Sequence, residues 1–302
     1  MSSTLIALGQ TLSLFIVAVL SLPVLLLDVC ICRTRAAPPA PTSALITGAT
    51  GGLGEELAIQ LAQRHGARLA LALTGRDVAA LERTADLCRA AGARVRTLRA
   101  DVVLDRDALR TFILETDAIA PLDLVLANAG VTERTARIAE DDIEGGARAT
   151  FAVNVDGVFN TVFPALGPMR KRRIGQVCVI SSIASYNPFS LFDGYSASKS
   201  AVRVWAEGLR HKLFREGVRV SVATPGYLSG HMTTAFGSSV DLRGMVSQKT
   251  AAQRVIVGLE RDEALIAFPS STFLLSTALA ALPFHVRDLL ARTGLVAELR
   301  YA

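Results

Sequence analysis

Tyr195 and Lys199 lie four residues apart in a stretch with helical periodicity, so the phenol and the ammonium share one face, one turn apart. A free phenol titrates near pH ~10, too high to exchange protons readily at neutrality. A neighbouring cation favours the phenolate, and lowering the pKa by about 2–3 units takes about 3–4 kcal/mol of differential interaction. The pair can therefore act as a general acid or base on a substrate oxygen. On its own such a pair is also an ordinary surface feature, so its meaning depends on what surrounds it.

A second group of residues is suited to phosphate. Thr47-Gly48-Ala49-Thr50-Gly51-Gly52-Leu53-Gly54 follows a short apolar run and precedes a helical stretch. Glycines let the backbone turn tightly and approach a pyrophosphate, whose charge meets N–H groups at the helix start. Any tight strand-to-helix turn can use glycine, but the spacing of Gly48, Gly52 and Gly54 straight after a first strand is more specific.

The elements that position these groups are legible from the alternation of apolar runs with helical stretches. The runs cover residues 44–46, 69–73, 95–98, 122–126, 177–180, 218–222 and 265–268, with Pro, Gly or Asp at most junctions. This pattern predicts an α/β fold, a doubly wound parallel sheet of about seven strands joined by right-handed helical crossovers. Ligands in such sheets bind at the carboxyl ends of the strands. There the second run ends in Thr74-Gly75-Arg76-Asp77. A carboxylate at this place holds ribose hydroxyls, whereas an Arg accommodates a 2′-phosphate, so Arg76 favours NADP(H) over NAD(H). Arg76 could equally be a surface residue at a helix start. Asp101-Val102 after the third run could receive an adenine amino group, or Asp101 could simply cap a helix.

Thr47-Gly48-x-x-x-Gly52-x-Gly54, Asn128-Ala129-Gly130, Asn154, Ser181-Ser182 and Tyr195-x-x-x-Lys199 together resemble the short-chain dehydrogenase/reductase family over residues 43–268. The resemblance implies that Tyr195 is the general acid or base and that Lys199 lowers its pKa while binding the nicotinamide ribose. It also implies that Ser182, thirteen positions before Tyr195, hydrogen-bonds the substrate oxygen, with Ser181 as the alternative. Asn154 would hold a water linking Lys199 to solvent, Asn128-Ala129-Gly130 would shape the floor beneath the cofactor, and Pro225-Gly226 would lie against the nicotinamide. The sequence departs from the pattern at three places. Ala127 stands where many members carry Asn; residues 66–75 are about two longer than usual, which weakens the Arg76 assignment; and Gly230 replaces a Thr that touches the carboxamide, a contact Ser229 or Thr233 could take over.

The 302 residues suffice for one large domain and an extension. Hydrophobic residues make up 51% and mean hydropathy is +0.39, which directs attention to a membrane segment. Residues 5–27 carry no charge, and a helix of that length is roughly 35 Å long, enough to cross a hydrocarbon core. No basic residue precedes it, so a retained single-pass anchor fits better than a cleaved signal peptide. Arg33 and Arg35 just beyond it point the large domain to the cytosol, at the endoplasmic reticulum in a eukaryote. Cys30 and Cys32 at its edge are two small apolar residues or lipidation sites. The net charge of +5 is dispersed, and the run Arg170-Lys171-Arg172-Arg173 reads as a solvated helix end, so nucleic acid is not an expected partner. The four Cys and four His show no metal-ligand spacing.

The expected organisation is an anchor over 1–32, a linker over 33–42, a catalytic domain over 43–268 with a substrate lid over 227–247, and a helical extension over 269–302. Leu228, Met232, Phe236, Val240, Leu242 and Met245 give the lid an apolar character. Residues 273–284 are uncharged but short for a second span, and predict a helix packed on the domain or lying at a bilayer surface. Anchor and lid together suggest a lipophilic ketone or secondary alcohol. Membrane-anchored members of the resembled family include reductases of 3-ketosphinganine, steroids and retinoids. A long-chain keto lipid such as 3-ketosphinganine reduced by NADPH is the first expectation, and a hydroxysteroid or retinol dehydrogenase the second. A cofactor-binding membrane adaptor without turnover is a reading of another class, opposed by the presence of both Tyr195 and Lys199. The sequence leaves a homo-oligomer open.

Overall fold

The computed structural model describes residues 37–139, 141–187, 192–230 and 245–293. Seven strands form one sheet: β1 (Ser43–Thr47), β2 (Ala70–Gly75), β3 (Arg94–Arg99), β4 (Leu124–Ala127), β5 (Gly175–Ile180), β6 (Val218–Pro225) and β7 (Leu265–Phe268). Every pairing is parallel and the order is β3-β2-β1-β4-β5-β6-β7. The chain winds outward from β1 in one direction and, after β3, returns to β4 and winds the other way. The crevice between the carboxyl ends of β1 and β4 is thus the topological switch point, where such sheets bind ligands.

Strand alternation sends side chains to two helical layers. On one face Ala44, Ile46, Leu71 and Leu73 pack with Leu57 and Leu61 of α1 (Gly52–His65), Leu81 of α2 (Val78–Ala90) and Val255 of α7 (Gln248–Glu260). On the other, Leu45, Val125, Val177 and Val179 meet Leu109 and Ile113 of α3 (Arg106–Ile119), Val158 and Val162 of α5 (Gly157–Arg172) and Val202 of α6 (Asp193–Leu213). Leu45, Leu57 and Ile113 are fully buried, and each such side chain contributes about 1.5–3 kcal/mol of transfer free energy. The central strands are buried on both faces, whereas β3 at the edge is half-exposed and carries Arg94, Arg96 and Arg99.

Helix starts follow capping chemistry. Asp77 accepts from the Ala80 N–H at 3.0 Å, and Asp142 from the Gly145 N–H at 2.8 Å at the head of α4 (Ile143–Phe151). The extra residues between α1 and β2 are taken up by a 3₁₀ turn over Gly66–Arg68. Between α4 and α5 the helix widens to a π turn over Ala152–Asp156, which the sequence pattern does not show. Arg170 and Arg172 near the end of α5 are not merely solvated. Arg170 pairs with Glu216, and Arg172 grips Asp117 through two bonds of 2.8 and 2.7 Å.

The helix expected at residues 273–284 is α8 (Ser270–Ala281), ending just before Pro283, and a further helix, α9 (Phe284–Thr293), follows it at a bend of 117°. Pro283 has no N–H to continue the ladder, and the residue before it is driven out of the helical region. Among the described residues no single helix is long and apolar enough to cross a membrane; the bent pair passes only when its two helices are taken together. The anchor over 1–32 and most of the lid lie outside the described residues.

Candidate active site

At the switch point the cofactor loop is fixed by close backbone approach. Gly48 has φ +69° and Gly52 φ +58°, conformations that L side chains rarely adopt. A Cβ on Gly54 would lie 2.2 Å from the Gly48 carbonyl oxygen and 2.5 Å from Asn128 Nδ2. Asn128 donates from Nδ2 to the carbonyls of Thr47 (2.9 Å) and Gly48 (3.2 Å), so the end of β4 braces the turn after β1. The Thr47 hydroxyl accepts from the N–H groups of Asn128 and Ala129 at 3.2 and 3.3 Å, a contribution that sequence reasoning did not assign. A Cβ on Gly51 would meet nothing within 4 Å, and the helix start behind it, ahead of Leu53, receives no side-chain cap. An open, glycine-lined helix N-terminus fits a pyrophosphate.

The outer wall is set by β2. Thr50 presses its Cγ2 into the space a Cβ on Gly75 would need, at 2.2 Å. Arg76 follows with its side chain 64% exposed, 3.7 Å from Asp101 Oδ2. Asp101 Oδ1 accepts from the N–H groups of Val103 (2.9 Å) and Leu104 (3.2 Å), closing the turn that leads into α3, whose N-cap is Asp105 rather than Asp101. Val102 is buried and would meet any side chain placed at Gly157.

The catalytic candidates converge on the inner wall. Ser182 ends the segment after β5; its hydroxyl accepts from the Ala184 N–H at 3.1 Å and acts on the Tyr195 phenol as a polar neighbour. Ser181 is committed elsewhere, donating to the Lys199 carbonyl at 2.8 Å, so geometry selects Ser182. Lys199 is buried and donates from Nζ to the Ile180 carbonyl at 2.9 Å, with Nζ 5.8 Å from the centre of the Tyr195 ring. A Cβ on Gly130 would lie 3.0 Å from Lys199 Nζ and 3.1 Å from Asn154 Oδ1, so this glycine leaves room for both.

Asn154 sits in the π turn with its side chain fully engaged. Oδ1 accepts from the Val131 N–H at 2.8 Å, and Nδ2 donates to the Val131 carbonyl and to Ser198 Oγ, both at 2.9 Å. Ser198 in turn donates to the Tyr195 carbonyl at 2.7 Å. A water held for Lys199 would therefore fall to the backbone of Asn154 rather than its amide.

Electrostatics divide the pair. Burial pushes the Tyr195 phenol above its ordinary value; the Ser182 hydroxyl opposes this and the Glu133 charge adds to it. Burial lowers the Lys199 ammonium to about 8, close enough to neutrality to exchange its proton. The i, i+4 spacing alone suggests that the cation dominates the phenol; in the fold, desolvation of the phenol is the larger effect.

Pro225 ends β6, and Gly226 donates to the Phe268 carbonyl at 2.8 Å, where a Cβ would lie 3.0 Å from Pro269 Cδ. Gly230 has φ +147°, and the adjacent Ser229 carbonyl accepts from Gln248 Nε2 at 2.7 Å. Thr233 lies outside the described residues. Glu133 and Gln248 were missed by sequence reasoning, since neither stands at a fixed offset from a motif.

Residues 42–241 match the family model described as short chain dehydrogenase. An uncharacterized oxidoreductase of Myxococcus xanthus is 32% identical over 253 residues, covering 83% of this chain and 96% of the relative. An 11-beta-hydroxysteroid dehydrogenase-like protein of Arabidopsis thaliana is 32% identical over 233 residues, covering 75% of this chain and 73% of its own length. A short-chain dehydrogenase from Sphingobium yanoikuyae, solved in complex with NADPH, superposes with a TM-score of 0.67 at 23% identity over 86% of this chain and 97% of that one, which shows the shared fold. The chain belongs to the short-chain dehydrogenase family and is an NAD(P)-dependent oxidoreductase acting on CH–OH groups and the carbonyls they form.

Proposed function

We propose that the protein interconverts a ketone and a secondary alcohol on a lipophilic substrate with NADP(H), through Ser182, Tyr195 and Lys199. The carrying observation is the convergence of Ser182 and the Tyr195 phenol beside a buried Lys199 at the switch point. A bound nicotinamide supplies the hydride for reduction or accepts it in oxidation. In the reducing direction Ser182 Oγ and Tyr195 Oη both donate to the carbonyl oxygen, polarising the carbon. As negative charge develops on that oxygen, Tyr195 transfers its proton and the alcohol forms. The phenolate left behind is stabilised by Lys199 and reprotonated through the Lys199–Asn154 side of the site. Oxidation reverses each step.

The preference for NADP(H) rests on Arg76, whose exposed guanidinium stands beyond Gly75 with Asp101 as a weak partner. A 2′-phosphate would be its stronger partner, because an anion of about two charges forms several charge-assisted bonds with a guanidinium. The lipophilic substrate class is supported by the apolar lid residues and by the Tyr186–Phe273 contact, at 5.4 Å between ring centres, beside the Ser182 turn. A long-chain keto lipid such as 3-ketosphinganine is the first candidate. Relatives named for 11-beta-hydroxysteroid activity favour a steroid as the second. The uncharged residues 5–27 support a single-pass anchor with the domain on the cytosolic side.

The deciding experiment incubates purified protein in nanodiscs with NADPH or NADH and a panel of long-chain keto lipids, ketosteroids and retinal. Turnover of one lipid class, faster with NADPH, is expected. No turnover of any carbonyl with either cofactor would overturn the reading. Deleting residues 1–40 is expected to release the domain from membranes; continued tight association would shift the anchoring role to α8 and α9.

A further inference from the structure

The head of α6 lacks a cap of its own: its N-cap residue is Phe192, which offers no side-chain acceptor. Yet the catalytic phenol hangs from the first turn of that helix. The N–H of Tyr195 donates instead to Glu133 Oε1 at 2.7 Å, across a sequence separation of 62 residues, while the Gly194 N–H donates to Asp193 Oδ1 at 2.8 Å. A Cβ on Gly194 would lie 3.0 Å from the same oxygen, and a Cβ on Gly146 would lie 3.0 Å from Glu133 Cγ. Two glycines, one on α6 and one on α4, thus leave the room this side chain occupies. Its second oxygen, Oε2, is buried with no hydrogen-bond partner among the described residues.

Tyr195 is accordingly held at both ends of its backbone by one loop. Its N–H goes to Glu133, while its carbonyl goes to Ser198, then to Asn154, then to Val131, two residues before Glu133. Burying a carboxylate is unfavourable unless it gains strong acceptor bonds, and a short bond from a helix N-terminal N–H is such a gain. The surrounding charges do not neutralise it. Asp193, at the start of α6, has the same sign and pushes the Glu133 carboxyl up, as does burial. On α4, Glu144 and Arg148 are paired with each other at 2.7 Å. Arg134 stacks over the Phe192 ring at 5.8 Å. Around the phenol itself stand Lys199 and Ser182.

We propose that Glu133 is a positioning residue of the acid–base centre: it holds the first turn of the catalytic helix in place, and its negative charge acts on the Tyr195 phenol. The proposal deepens the oxidoreductase reading and rests on it for the identity of Tyr195 as the acid. Both effects have distinct signatures. Glu133→Gln retains an acceptor of the same shape and removes the charge. Losing a nearby anion stabilises the phenolate, so the limb of the kcat profile that vanishes in Tyr195→Phe moves to lower pH, in either reaction direction. The KM for cofactor is expected to stay within about twofold, because the cofactor loop is untouched. Glu133→Ala removes the acceptor as well and lowers kcat by about tenfold or more, since a small misplacement of a catalytic group is costly.

A second measurement needs no turnover. Phenolate absorbance is titrated in the wild type and in Glu133→Gln, each read against its own Tyr195→Phe counterpart, so that only Tyr195 is seen. The phenol is expected to titrate at lower pH in Glu133→Gln. Coincident titrations and coincident pH profiles would overturn the proposal, with Glu133→Gln keeping it open to refutation if Glu133→Ala does not fold. Should the wild type turn over no carbonyl, the oxidoreductase reading fails while the absorbance titration still decides whether Glu133 acts on Tyr195.

Discussion

The inner and outer ends of the switch-point crevice are built differently. At the inner end, Lys199, Asn154 and Ser198 are buried, and each is tied to a backbone group within 3 Å. At the outer end, Arg76 is mostly exposed and reaches its nearest anion at 3.7 Å. Reaction geometry is therefore fixed by a closed hydrogen-bond circuit, while the group that reads the adenosine end stands on the surface. The contrast teaches that cofactor preference can change with little cost to the fold, whereas the acid–base geometry cannot.

The largest effect that tests this contrast is Tyr195→Phe. It removes the transferable proton and is expected to lower kcat/KM by about 10²–10⁴-fold while the melting temperature changes little. Activity within tenfold of wild type would break the inner-end assignment. Next is Lys199→Met compared with wild type in thermal melts across pH. The Lys199 ammonium is lowered to about 8 from 10.5, so between those values the unfolded chain still holds a proton that the folded chain has lost. Stability then rises with pH in the wild type. Relative to the variant, the wild type is expected to gain up to roughly 3 kcal/mol on going from pH 8 to 10.5, and to show the full burial penalty below pH 8. Parallel curves would show that the ammonium carries no such penalty.

A third, smaller effect is Gly54→Ala, whose Cβ would lie 2.2 Å from the Gly48 carbonyl oxygen. Overpacking of this kind costs about 1–3 kcal/mol, read as a lower melting temperature together with weaker cofactor binding. The smallest is Arg76→Ala. It is expected to reduce NADPH affinity by about tenfold and NADH affinity hardly at all, with no change in melting. Equal losses for both cofactors would remove the reason for favouring NADP(H).

How much of this was legible in the sequence follows the same division. The seven runs locate all seven strands, because the buried central strands are nearly continuous in Val, Ile, Leu and Ala, while β3 is marked only by Val95 and Leu98 among arginines. The loop Gly48 to Gly54 and the pair Tyr195–Lys199 announce themselves by spacing within a single element. What escaped depends on contacts between elements. Glu133 is an unremarkable acid until α6 arrives 62 residues later, and the engagement of the Asn154 amide with Val131 and Ser198 requires three segments to meet. The π turn at Ala152–Asp156 has no periodicity signal of its own. Pro269 and Pro283 mark the two ends of α8, whereas α9 beyond Pro283 has no comparably plain signal.

The arginines of β3 have a consequence beyond the crevice. Among the described residues that strand pairs with β2 alone, and the free side of such an edge can template a further strand. Arg94, Arg96 and Arg99 stand on this strand, Arg96 paired with Glu115 at 3.3 Å and Arg99 with Asp105 at 3.2 Å, so a strand added alongside would have to desolvate these charges. Replacing them with threonines would preserve strand propensity and remove that cost. The sheet's tendency to grow by edge-to-edge association is thus held in check by residues that take no part in catalysis.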